Sequence, residues 1–200
     1  ESVTVEPAIP GMVVSAAYDS VQVAGITAGR TTYHLRLKGD VQDIFGQTLG
    51  ADQDFTFKTG SADSYLTGPN QALTTLDPTA ATPVFTVYSM NYNALRVRAY
   101  AVTPQDWQAY LLYLQGQYQD PKPTPPGKEV LNTVIQVDAQ PDTLTETDID
   151  LSPALGGKYG HLIVIVDKPG SLLNLFNQSD NYAVQSWVQV TNLGLDAIVD

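Results

Sequence analysis

Glu146, Asp148 and Asp150 are the densest group of side chains in this sequence that could do chemistry, three carboxylates spaced two apart with Thr147 and Ile149 between them and Leu151 after them. Acid/base work or calcium binding would need such groups. Calcium, however, takes about six to eight converging oxygens, normally from a tight loop, and a straight strand spreads its carboxylates along a line. The alternation therefore predicts a solvated strand face. The two histidines, His34 and His161, have neither a cysteine nor another histidine at ligand spacing and are expected as ordinary edge or surface residues. With no cysteine, thiol nucleophiles, zinc–thiolate sites and disulfides are all excluded. No Gly-x-Ser-x-Gly elbow or phosphate-binding glycine pattern is present. No catalytic, cofactor-binding or metal residue is assigned, and no cofactor is expected. Trp107 and Trp187 could stack sugars, although tryptophans more often cover a sheet. Asn177-Gln178-Ser179 fits a glycosylation sequon.

The charge narrows the partners. Among 200 residues, 21 acidic and 10 basic side chains give a net charge of −11, which repels phosphate and anionic headgroups, so nucleic acid and membrane surfaces are excluded as expected partners. No run reaches the roughly 18 to 20 apolar residues of a membrane span. The chain opens at Glu1 without an initiator methionine or a leader, and so reads as a fragment or a processed product.

The elements that must carry these residues are mainly β. Tyr33, Leu35 and Leu37 alternate with polar residues, which at a period of two predicts a strand with one face buried. Phe55 and Phe57 predict a second half-buried strand, and Val3 with Val5 a shorter one. Between them, Ile44, Phe45 and Leu49 sit in a Gly- and Asp-rich turn and are expected to plug one end of a sandwich. Sixty residues are thin for a sandwich, so further strands before Glu1 are expected. Residues 61–83 lack either period and predict a linker.

Beyond Val84 the alternation returns at Phe85 and Val87 and at Leu95, Val97 and Ala99. Thr103-Pro104-Gln105-Asp106 is a helix start, with a hydroxyl N-cap, proline in the first turn and an acid to follow. Trp107, Tyr110, Leu111 and Leu114 then give a helix near 104–115 one apolar face, to be laid on a sheet. The prolines of residues 120–127 end it in an exposed loop. Four more strands follow, and the unbroken apolar run Leu162-Ile163-Val164-Ile165-Val166 predicts burial on both faces.

Trp187-Val188-Gln189-Val190-Thr191-Asn192-Leu193-Gly194-Leu195, with the residues on to Asp200, is similar to the junction between macroglobulin domains in the bacterial alpha-2-macroglobulin family. Residues 91–102, leading into the Thr103 helix, are similar to its strand-then-helix opening, and residues 147–155 with 160–166 to its later strands. Asp43-Ile44-Phe45-Gly46 through residues 55–60 is similar to the immunoglobulin-like modules beside them. The resemblance implies two tandem β-sandwiches: an immunoglobulin-like one over 1–60, expected to be truncated at its start, then the linker, then a macroglobulin-like one over 84–200 with a short helical insertion. It implies non-catalytic structural domains of a periplasmic or extracellular protease inhibitor. The partners would be other domains of the same parent and the proteases the parent traps after bait cleavage. The family's thioester needs a cysteine motif that is absent here. The rival is a tandem binding module of an adhesin or carbohydrate-binding protein.

Overall fold

The computed structural model describes residues 2–17, 20–69, 71–118, 123–170 and 183–192. It is mainly β, and the chain divides into two compact units, Glu1–Asp63 and Ser64–Asp200.

In the first unit, strands β1 (Val3–Glu6), β4 (Thr32–Leu37) and β5 (Gln53–Lys58) form an antiparallel sheet in the order β1-β4-β5. Strands β2 (Val13–Ala17) and β3 (Ser20–Ala24) form a separate antiparallel pair. The alternation in β4 does its predicted work: Tyr33 is buried, with Val5 and Ile9, against Met12, Val23 and Leu35. Tyr33 stacks on Phe57 with ring centroids 5.1 Å apart, and its hydroxyl accepts the Ala28 N–H at 2.8 Å. That core is small. Two expectations fail here. Phe55 and Phe57 do not make a half-buried strand, because β5 is exposed along its whole length. Nor do Ile44, Phe45 and Leu49 plug a sandwich end, since all three side chains face solvent.

The second unit is a sandwich of two sheets with a helix on its outer side. Three strands, in the order β11 (Thr145–Asp150), β8 (Val84–Met90) and β6 (Tyr65–Thr67), face five, in the order β10 (Lys128–Gln136), β9 (Ala94–Val102), β12 (Gly160–Asp167), β13 (Val184–Val190) and β7 (Leu73–Leu76). Phe85, Val87 and Ile149 from one sheet meet Leu95, Val97, Leu162, Val164 and Val188 from the other. The opposite face of the five-stranded sheet carries Ile163, Ile165 and Trp187, covered by helix α1 (Trp107–Gln115). The centre of β12, Leu162 to Val166, is thus apolar because both of its faces are covered.

Residues 61–83, expected as a linker, instead contribute two strands. β6 is antiparallel to β8, and β7 is parallel to β13 with Leu73 opposite Trp187 and Leu76 opposite Val190. The Thr-rich composition suits this position: the Thr74 hydroxyl lies 2.7 Å from the Ser186 hydroxyl, which also donates to the Gln71 carbonyl at 3.0 Å. Helix α1 starts as foreseen, after a 3-10 turn over Pro104–Asp106, with the Asp106 carboxylate accepting both the Thr103 N–H and hydroxyl at 2.8 and 2.9 Å. Its buried stripe, however, runs through Tyr110 and Tyr113, with Leu111 only partly covered. Gly127 restarts the chain into β10 at φ +91°, and a methyl group there would stand 2.4 Å from the Ala101 carbonyl oxygen. Only glycine fits both demands. Residues 119–122 of the proline-rich loop, the sequon at 177–179 and the end of the proposed junction at 193–200 lie outside the described residues.

Candidate functional site

The carboxylate row lies on β11 with every member exposed. Each acid serves its own neighbourhood. Glu146 stands opposite Tyr88 across the ladder, and by accepting from the phenol and through its charge it raises the Tyr88 pKa. Asp148 accepts the Thr86 hydroxyl at 2.7 Å. Asp150 accepts the Ser152 N–H at 2.8 Å at the start of helix α2 (Ser152–Leu155), and the Ser152 side chain and backbone together lower its pKa. Among the described residues, no group of three His, Asp or Glu side chains is placed to hold a metal ion. His34 is exposed, its Nδ1 3.1 Å from the Thr56 hydroxyl. His161 is half-buried in a central strand rather than at an edge or surface. Its Nδ1 accepts the Trp187 indole N–H at 3.2 Å, so the imidazole is held by the core.

The two tryptophans belong to the layer under α1. Trp187 packs edge-on against Trp107 at 5.3 Å and against Tyr110 at 5.6 Å. This leaves no stacking platform of paired tryptophans for a sugar. The Tyr110 hydroxyl is buried in the same layer. The Trp187 backbone is close enough to lower its pKa slightly but falls short of hydrogen-bond geometry, so burial prevails and pushes the pKa up to about 12. Between the ordinary value of 10 and that figure, the unfolded chain releases a proton that the folded chain keeps. Stability therefore falls as pH rises through this window. Tyr110→Phe should leave the melting temperature at neutral pH unchanged or higher and flatten the alkaline loss. Thermal melts from neutral pH to pH 11 check this, and an unchanged alkaline decline in the variant would contradict it.

At the rim of this layer Arg98 donates to Asp167 at 2.5 Å. Burial raises the Asp167 pKa against the opposing pull of Arg98, and Asp167 Oδ1 and Arg98 Nε are both buried without a partner. An ion pair only half satisfied in this way fixes geometry more than it adds stability.

The first unit holds a cleft of about 850 Å³ between the β1-β4-β5 sheet and the β2-β3 hairpin. Val3, Val21, Val23, Leu37 and Phe55 line it, together with Leu49 of the following turn. Ile44 and Phe45 stand at its rim, 81% and 80% exposed. This arrangement offers apolar contact without a nucleophile or an acid/base pair, and so suits binding rather than bond-making. The sequence contained these residues, but residue type alone does not say whether an apolar side chain turns inward or outward.

No family model matches the sequence, and no curated protein does. Solved structures do. The structure of Salmonella alpha-2-macroglobulin reacted with methylamine covers 95% of this chain at a TM-score of 0.62 and 13% identity, and that of its Y1175G mutant covers 94% at 0.60 and 13%. This chain shares the fold of bacterial alpha-2-macroglobulin domains. It matches 11% of the length of each Salmonella alpha-2-macroglobulin chain. An Escherichia coli alpha-2-macroglobulin structure spanning the domains MG0-NIE-MG1 covers all of this chain, at a TM-score of 0.51 and 12% identity, with 63% of its own length matched.

Proposed function

We propose that this chain is a pair of non-catalytic structural modules, an immunoglobulin-like one followed by a macroglobulin-like one, from a larger protease inhibitor of the bacterial alpha-2-macroglobulin kind. The observation that carries this is the likeness to the Salmonella alpha-2-macroglobulin structures, which extends over both units, while each of those chains is about nine times the matched length. The local chemistry agrees. Asp148, Asp150 and His161 are occupied with strand pairing, a helix start and a core contact, and the chain has no cysteine for a thioester. The modules hold other domains of the parent in place, and the parent traps proteases in the periplasm or outside the cell.

The test is digestion of the full-length polypeptide with trypsin, followed by scattering. An early cleavage that leaves a more compact particle with trypsin retained is the expected outcome. Progressive degradation with no compaction and no retained protease would refute the trapping role. The carbohydrate-binding alternative is less well supported, because Trp187 is buried and Trp107 packs against it.

A further inference from the structure

We propose that the first unit docks an apolar β-strand of the parent polypeptide, flanked by Lys or Arg, across the cleft between its two sheets, with Phe45 as the anchor. This rests on the chain being part of a longer protein, as proposed above. The turn that presents Phe45 is braced at every level. The Asp43 carboxylate accepts the N–H groups of Phe45 and Gln47 at 2.8 and 2.9 Å, and the Asp43 N–H donates to the Gln47 carbonyl at 2.9 Å. Below that, Gln42 bridges Thr48, Leu49 donates to Val41 and Gly50 to Gly39, and Asp52 accepts the Gly39 N–H. Gly46 and Gly50 supply the left-handed conformations at φ +81° and +87°. A floppy loop would fold an isoleucine and a phenylalanine back onto the nearby apolar cleft. This one holds them in water, so little conformational entropy remains to be lost when a partner covers them.

Three observations choose the occupant. Ile44 and Phe45 stand at the rim, where a small molecule in the cleft would leave them wet and a polypeptide would cover them. Among the described residues β5 pairs on one side only, with β4, so its outer edge offers unpaired main-chain groups beside the cleft-lining Phe55. An added strand would satisfy both the edge and the apolar wall. Residues 39–52 carry Asp40, Asp43 and Asp52 and no Lys or Arg, which favours cationic flanks on the incoming strand. The same charge disfavours a second copy, which would bring two acidic turns together on chains of net charge −11.

Carbene footprinting of Phe45 and Phe55 in the 200-residue chain and in the full-length parent tests this. Strong labelling of both in the short chain and its loss in the parent is expected. Phe45→Asp should restore labelling of Phe55 in the parent, while leaving the melting temperature of the short chain unchanged because the ring is exposed there. Equal labelling in the two chains would overturn the docking. So would protection in the short chain that grows with its concentration, which would indicate a second copy, or protection that requires added vesicles or another protein. An open reading frame that ends with these 200 residues would remove the parent and with it the proposed function, whereas equal labelling in an existing parent removes the docking alone.

Discussion

Trp187→Ala lowers the melting temperature of the second unit by about 10 °C or more, from a loss of roughly 3 to 5 kcal/mol. The indole is 2% exposed, with the rings of Trp107, Tyr110 and His161 against it and Ile163 opposite it in the ladder. Truncation removes the seat of α1 and also strips His161 of the donor to its Nδ1. Two costs therefore add, a cavity too well braced to collapse and a polar atom left without its partner. Trp187→Phe keeps one aromatic ring in the layer while losing the N–H and part of the indole volume, so it should recover part of the stability. Thermal melts followed by near-ultraviolet circular dichroism compare the two. An unchanged melting temperature in Trp187→Ala would show that the helix layer does not depend on this ring.

Tyr33→Ala unfolds the first unit. Modules below roughly 70 to 80 residues seldom draw more than about 3 to 5 kcal/mol from one core. Among the described residues, the buried apolar side chains of the unit are the cluster of Val5, Ile9 and Tyr33 together with Val3. Removing a ring of this size costs about as much as the module has. Amide exchange in the intact chain resolves the outcome by position: protection of β1, β4 and β5 should vanish while that of β9 and β12 persists. Tyr33→Phe, which leaves the Ala28 N–H without its acceptor, should cost about 1 kcal/mol and keep the unit folded. Retained protection in β4 of Tyr33→Ala would mean that the unit is held by contacts other than its own core.

Where composition and period agreed, the sequence was legible. The apolar run of residues 162–166 could be buried on two faces only in a central strand, and Thr103-Pro104-Gln105-Asp106 placed a helix start through local hydrogen bonding alone. Illegible parts were those decided by distant partners. β6 and β7 are three and four residues long, too short to show a period, and they exist because β8 and β13 offer free edges. Tyr113 joined the buried stripe in preference to Leu111 because the sheet beneath α1 presents Gln185, to which the Tyr113 hydroxyl donates at 3.3 Å. The outward display of Ile44 and Phe45 was hidden for a similar reason. Their types called for burial, and only the hydrogen-bonded brace around Asp43 shows that the turn cannot swing inward.

The parallel pairing of β7 with β13 sets how the second unit answers a pull. Tension entering through the residues before Leu73 and leaving beyond Val190 runs along the ladder from opposite ends, so its rungs are loaded together in shear and do not unzip one by one. The Thr74–Ser186 contact and the Trp187 N–H bond to the Ala72 carbonyl share the same load. A segment that looks like a tether in the sequence is, in the folded unit, the clasp that must slip before the sandwich can be drawn open.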